Sequence, residues 1–306
     1  MNTSTLLPPA LNGALEFLET AAGRVALYAA EATDTNSPKP TLPPLLLVHS
    51  VNAAGCAAEM APLFDYYRQT RDVYALDLPG FGHSDRSDRP YLPRLMTDAV
   101  LACLKHISAR HEGAAVDVVA LSLSGEFAVR AQSESALVRK LALISPTGFN
   151  GKPRRYGPAG ATLGQPWLYR WLTKPLWREA LFRGLTRPGV IRYFLQRSWG
   201  SKNIDEALWR YDVSTTRQGG AANAPLYFLS AYLFSRDINA LYEAVQCPVW
   251  VSMATRGDFT DYRGRVTVEG RANWQFHLVD GGALPYFEDL NAFVSRLDPF
   301  LAEPVL

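Results

Sequence analysis

Cysteine is scarce in this chain of 306 residues: Cys56, Cys103 and Cys247 are the only three, none forms a C-x-x-C pair, and the count is odd. That pattern supplies neither a disulfide framework nor zinc-ligand spacing, and it fits buried thiols in a reduced compartment. Long apolar runs are missing too, none approaching the about 20 residues of a membrane span. Residues 1–13 lack a basic stretch followed by an apolar one, so no secretory signal is expected and a cytoplasmic location is. Strong charge of one sign is also absent. The net charge is +2, which gives no global reason to bind nucleic acid. No internal repeat occurs, and no motif calls for a cofactor or a metal. What is present is an ordinary globular composition, 48% hydrophobic and 20% charged, long enough for one large core plus an insertion.

After a short arm, Leu15–Thr20 and Arg24–Tyr28 straddle Ala21, Ala22 and Gly23 and predict a hairpin. Asp34–Pro44, rich in Pro, Ser, Thr and Asn, predicts a loop. Six short strand-like runs follow: Leu45–Val48, Val73–Leu76, Val116–Ala120, Lys140–Ile144, Val249–Ser252 and Gln275–Val279. Helical patterns cover Ala57–Gln69, Arg94–His111, Leu123–Gln132, Ile238–Val245 and Phe287–Leu301. Strands buried on both faces and alternating with helices predict an α/β fold with a mostly parallel central sheet.

The alternation breaks once, between about Asn150 and Gln246. The chain therefore reads as a core, 1–149 and 247–306, with a helical cap or lid, 150–246, inserted over the sheet. Pro166, Pro175 and Pro188 divide this insertion, which holds five of the seven tryptophans. It carries 14 Lys/Arg against 6 Asp/Glu, a balance of +8, leaving the remainder at −6. Three readings of that charge stand open: solvated helix faces, docking to an anionic membrane or partner surface, and attraction of an acidic substrate.

Val118–Ala128 runs from a buried strand into a helix with Ser122 at the turn. Ala120 and Ser124 flank it two positions away on either side. A serine on such a strained turn needs small neighbours there, and both are small. With this turn, the segment Leu45–Asn52, which includes His49 and Ser50, and the segment Leu76–Asp85, with Asp77, Gly80, Gly82 and Ser84, resemble three motifs of the α/β-hydrolase superfamily. The resemblance runs in register from Pro43 to Pro146 and again from Gln246 to Leu301, but not through the insertion. It implies Ser122 as nucleophile and the N–H groups of Leu123 and Val51 as the oxyanion hole. His49 and His83 lie inside these motifs and read as backbone-shaping residues outside the proton relay.

The stretch Cys247–Phe259 resembles the strand and loop that deliver the acid of the triad, which falls on Asp258, with Asp261 in reserve. The segment Phe276–Glu288 resembles the one that delivers the base, and it places Ala283 where the family has histidine. Alanine moves no proton, so the Ser122 hydroxyl stays a weak nucleophile at neutral pH. His277 is nearest in sequence but falls within a strand. An engineered His→Ala change, a natural loss of hydrolysis and recruitment of another histidine, His83 foremost, all fit this pattern.

The first functional expectation is a serine hydrolase acting on an ester or related acyl substrate, impaired by the missing histidine. Trp167, Tyr169, Trp171, Trp177, Phe182, Tyr193 and Phe194 suggest a bulky apolar ligand, with simple packing of the rings as the other reading. Trp167, Trp171, Asn52 and Tyr286 are the candidate substrate contacts. The alternatives are a non-hydrolytic binding or accessory protein, or a base-free cyclase or lyase, using the same pocket. The expected partner is a small apolar ester-like molecule; the oligomeric state is left open.

Overall fold

A computed structural model describes residues 6–33 and 42–304, so most of the loop expected over Asp34–Pro44 lies outside the described residues. The elements in chain order are β1 (Ala14–Thr20), β2 (Gly23–Ala30), β3 (Leu45–Val48), α1 (Ala61–Tyr67), β4 (Val73–Asp77), α2 (Pro93–Arg110), β5 (Val116–Leu121), α3 (Ser124–Glu134) and β6 (Val138–Ile144). The inserted helices follow: α4 (Pro166–Leu172), α5 (Arg178–Leu185), α6 (Pro188–Trp199), α7 (Glu206–Thr215), α8 (Asn223–Leu229) and α9 (Ile238–Ala244). β7 (Val249–Ala254), β8 (Trp274–Val279) and α10 (Leu290–Ala302) close the chain.

The strands form one sheet in the order β1-β2-β4-β3-β5-β6-β7-β8. The β1–β2 and β2–β4 pairs are antiparallel, and every other pair is parallel. The period of two along each strand divides its side chains between two cores. Leu46, Val48, Val118 and Ala120 pack with Met96, Val100, Phe127 and Tyr242 on the side of α2, α3 and α9. Leu45, Leu47, Val119 and Leu121 pack with Leu63, Phe64, Phe293 and Leu297 on the side of α1 and α10.

Two predicted helices are interrupted. The Ala57–Gln69 pattern splits into a 3-10 turn, Ala57–Met60, and α1. Pro62 near the start of α1 has no N–H to continue the earlier turn, and the Ala57 N–H is drawn to Asp77 Oδ1 at 2.8 Å. Likewise α10 begins at Leu290 rather than Phe287, because Asp289 caps it by accepting from the Ala292 N–H at 2.9 Å. Inside the insertion, Pro166 and Pro188 stand in the first turn of α4 and α6, where a missing N–H costs nothing.

One face of α3 holds both ends of the insertion. Glu126, fully buried, accepts from Arg155 Nη2 at 2.7 Å and Thr147 Oγ1 at 2.6 Å near the leading end, and from the Ser235 N–H at 2.8 Å near the trailing end. One turn later Arg130 pairs with Asp237 at 2.7 Å, and Asp237 also accepts from the Gly160 N–H at 2.8 Å. Both partners of the Arg130–Asp237 pair are buried. Removing one member of such a pair strands the other charge. Arg130→Met is therefore expected to lower unfolding stability in urea by about 3–5 kcal/mol, with much of the loss recovered in Arg130→Met/Asp237→Leu. A single-variant loss below about 1 kcal/mol contradicts this anchoring.

Candidate functional site

Ser122 occupies the turn between β5 and α3 in the left-handed region, with φ 57. That conformation costs a residue with a side chain about 1–2 kcal/mol. It is held by the Ser122 N–H donating to the Ile144 carbonyl at 2.8 Å and the Gly125 N–H donating to the Ser122 carbonyl at 3.2 Å. Ala120 and Ser124 are fully buried on either side, and the Ser124 hydroxyl donates to the His49 carbonyl. The Ser122 side chain is partly exposed at the C-terminal edge of the sheet.

Beside it, the segment after β3 is clasped by Glu59. The Glu59 carboxyl accepts from the Ser50 N–H at 2.7 Å, the Ser50 hydroxyl at 3.0 Å and Asn52 Nδ2 at 2.7 Å. Among the described residues no acceptor engages the backbone N–H of Val51 or of Leu123, the two groups expected to face an oxyanion. Asn52 is spent internally, because its Oδ1 also accepts from the Ala54 N–H at 2.7 Å. Both ends of its amide are therefore hydrogen-bonded within the turn.

Among the described residues no histidine is hydrogen-bonded to Ser122. His49 accepts from the Leu78 N–H on Nε2 at 2.9 Å, so its Nδ1 carries the proton and donates to the Ser50 carbonyl at 2.6 Å. His83 engages Tyr28 and the Leu7 carbonyl with its two ring nitrogens, at 2.9 and 3.0 Å. The Asp77 carboxylate, 3.7 Å from Nδ1, raises the His83 pKa against the opposing effect of burial. His106 meets Glu16 and His111 meets Tyr74, both away from the turn. His277 lies inside β8, stacked on Trp250 with centroids 5.3 Å apart, and burial followed by nearby Arg296 pushes its pKa down.

The loops after β7 and β8 are bonded to each other: the Thr255 and Arg256 N–H groups donate to the Gly281 carbonyl at 3.1 and 3.2 Å. Asp258 lies on the first loop, 43% exposed, and makes a two-pronged ion pair with Arg197 of α6 at 2.8 and 2.9 Å. Asp261 is committed to Arg263 and to the Gly151 N–H, which hold its carboxyl well below the usual range. Ala283 lies on the second loop, buried, with its N–H donating to the Ser198 carbonyl at 2.8 Å and its carbonyl accepting from the Ser145 hydroxyl at 3.1 Å.

The end of α6 thus sits on both loops. The Asp258 N–H donates to the Arg197 carbonyl at 3.2 Å. A methyl group added to Gly282 would land on the carbonyl oxygens of Ser198 and Trp199. Gly200 ends α6 in the left-handed conformation, φ 63, so close to Gly257 that a side chain there would meet its backbone nitrogen. Trp199 is buried in the same cluster as Ala283, Leu284 and Leu121, and its ring meets Phe287 at 5.7 Å. Trp167 and Trp171 instead lie exposed on the outer surface of α4. Tyr286 is fully buried, with its hydroxyl donating to the Glu59 carbonyl at 2.8 Å. Tyr286 therefore packs in the core on the side of α1 and α10.

Sequence reasoning missed Glu59, Arg197 and Asp212. Asp212 lies on the buried face of α7 with Leu208 and Thr215. An acid at helical spacing among inward residues was the available signal. Its side chain receives only the Cys56 thiol, at 4.0 Å, among the described residues. Burial, then the neighbouring Glu59, pushes the Asp212 pKa well up, and burial first does the same to the Cys56 thiol. A groove of about 910 Å³ lies elsewhere, between the Leu6–Pro8 arm, α5 and the α7–α8 connection, and none of the Ser122, Val51 or Asp258 neighbourhood lines it.

A serine on a strained strand-to-helix turn at the C-terminal edge of a mostly parallel sheet defines a class of hydrolase frames. The chain belongs to the alpha/beta hydrolase family, whose profile matches residues 45–296. Solved structures agree at the level of the fold. A serine hydrolase involved in carbazole degradation, the CarC enzyme, superposes with a TM-score of 0.69 at 13% identity, over 94% of this chain and 98% of that one. The enol-lactonase from Burkholderia xenovorans gives 0.66 at 17% identity, over 94% and 100%. A thermophilic esterase from Thermogutta terrifontis gives 0.67 at 17%, over 94% and 98%. No curated protein matched the sequence.

Two measurements check this geometry. Ser122→Gly relieves the left-handed strain whereas Ser122→Ala keeps it, so the glycine variant is expected to be about 1 kcal/mol the more stable in urea unfolding. Equal stabilities contradict the strained turn. For Asp212 the folded state keeps a proton that the unfolded chain, with a pKa of about 3.9, has lost. Stability therefore falls as pH rises from about 4 towards the folded-state value. Asp212→Asn is expected to flatten that slope and gain on the parent as pH increases; parallel curves contradict it.

Proposed function

We propose that the chain is a serine-nucleophile hydrolase frame that takes a bulky, apolar ester or related acyl ligand at Ser122 and turns it over slowly for want of a base. The observation that carries this reading is the left-handed Ser122 turn, with the Leu123 and Val51 N–H groups unengaged beside it. In the reaction the Ser122 oxygen bonds to the acyl carbon, and the carbonyl electron pair moves onto an oxygen facing those N–H groups. Each such donor is worth about 10²–10³ in rate. With Ala283 in place of a base, the hydroxyl proton passes to solvent, and the about 10²–10⁴ supplied by general-base catalysis is lost. The inserted helices act as a lid.

A second reading, a non-hydrolytic binding or accessory protein, is favoured by the Arg197–Asp258 pair. It commits the candidate acid to the insertion rather than to a base. The two readings separate on labelling of Ser122 by a fluorophosphonate and on hydrolysis of p-nitrophenyl butyrate. The first reading expects slow labelling of the parent. It also expects hydrolysis at least about a hundredfold faster in Ala283→His/Arg197→Leu, where a base is supplied and Asp258 is released. No labelling of the parent and no hydrolysis by either chain would reject it in favour of the second.

A further inference from the structure

The most unusual surface of the molecule lies on α4 and the turn that follows it. The inward side of α4 is apolar: Leu172 is buried and Leu168 packs against the Phe182 and Leu226 cluster. Its outward side is apolar as well. Trp167 is 64% exposed, Trp171, one turn on, is 48% exposed, and Leu176 in the following turn is 87% exposed. The Trp171 and Trp177 rings lie 5.8 Å apart between centroids, which makes the patch continuous around the turn. A surface helix normally hides one apolar stripe and shows water the other face; a contiguous exposed apolar patch marks a contact surface.

The charge along the chain that leads into and through the patch is positive, with Glu179 the first acid after it. From Asn150 to Arg178 the chain has six Lys/Arg and no Asp or Glu. Arg155 is taken up by Glu126, but Arg170 and Lys174 are exposed next to the tryptophans. The Lys174 ammonium sits 5.1 Å from the Trp177 ring centroid. Tryptophan and leucine side chains set among cations match the interfacial layer of an anionic bilayer, where the rings enter the headgroup–acyl boundary and the cations meet lipid phosphates.

We propose that Trp167, Trp171 and Leu176, flanked by Arg170 and Lys174, form a peripheral docking face for an anionic membrane. No helix among the described residues is long and apolar enough to cross a membrane, so the contact lies in the plane of the surface. This proposal stands apart from any chemistry at Ser122.

The test is flotation of the full chain with phosphatidylcholine vesicles, with and without phosphatidylglycerol. Tryptophan emission is followed in parallel. The chain is expected to float with the anionic vesicles alone, less so as salt rises, and its emission to shift to the blue. Trp167→Ser/Trp171→Ser/Leu176→Ser and, separately, Arg170→Glu/Lys174→Glu should each reduce the bound fraction by about tenfold or more. Both should leave the thermal unfolding midpoint in place, since all five side chains are solvent-facing. Absence of flotation with anionic vesicles, or flotation that ignores both sets of changes, overturns the proposal. So does light scattering that shows a dimer dissolved by the apolar substitutions, which would give the face to a second copy of the chain.

Discussion

The contact between the end of α6 and the glycine-rich loop after β8 governs much of the rest of the structure. Ser198 and Trp199 present their carbonyl oxygens to Gly282 and Ala283, with no room for a side chain at Gly282 and a hydrogen bond from the Ala283 N–H to Ser198. Because the β7 and β8 loops are bonded to each other, fastening one fastens both, and Asp258 is drawn to Arg197 by the same approach. From the opposite side, Glu126 and Arg130 pin the two ends of the insertion to the helix that begins just after Ser122. An exposed pair such as Arg197–Asp258 is screened by solvent and contributes little to stability. The buried anchors and the backbone contact at Ala283 therefore hold the insertion, and the exposed pair mainly sets where Asp258 points.

The same arrangement fixes the surroundings of Ser122. The left-handed turn at Ser122 and the clasp of Glu59 on the Ser50–Asn52 segment hold the serine and neighbouring backbone N–H groups at the edge of the sheet. His49 and His83 are bonded to neighbours of their own, and Asp258 is paired with Arg197.

Much of the frame was legible in the sequence because its determinants are local. Short apolar runs gave the strands, small residues at Ala120 and Ser124 marked the turn, and Asp258 and Ala283 fell on the loops expected of them. What escaped depends on distant contacts. Nothing near Asp258 in the chain announces Arg197, and nothing near Asn52 announces that its amide is spent on Glu59. The tryptophans show the limit most plainly. Counting them put five between Asn150 and Gln246, yet only the packing of the helices separates Trp199, buried in the cluster of Ala283, from Trp167 and Trp171, turned to solvent. Pro62 and Asp289 were readable as breaks, but an unbroken apolar period masked them.

The most direct measurement of the central contact is native-state hydrogen exchange at the Ala283 amide under rising denaturant. If α6 is fixed on the β8 loop, this amide opens only with the cooperative unfolding that also exposes the amides of β5, and its opening free energy converges on theirs. Exchange that is fast in the absence of denaturant and insensitive to its addition would show the insertion lifting away from the folded core, and would contradict the account.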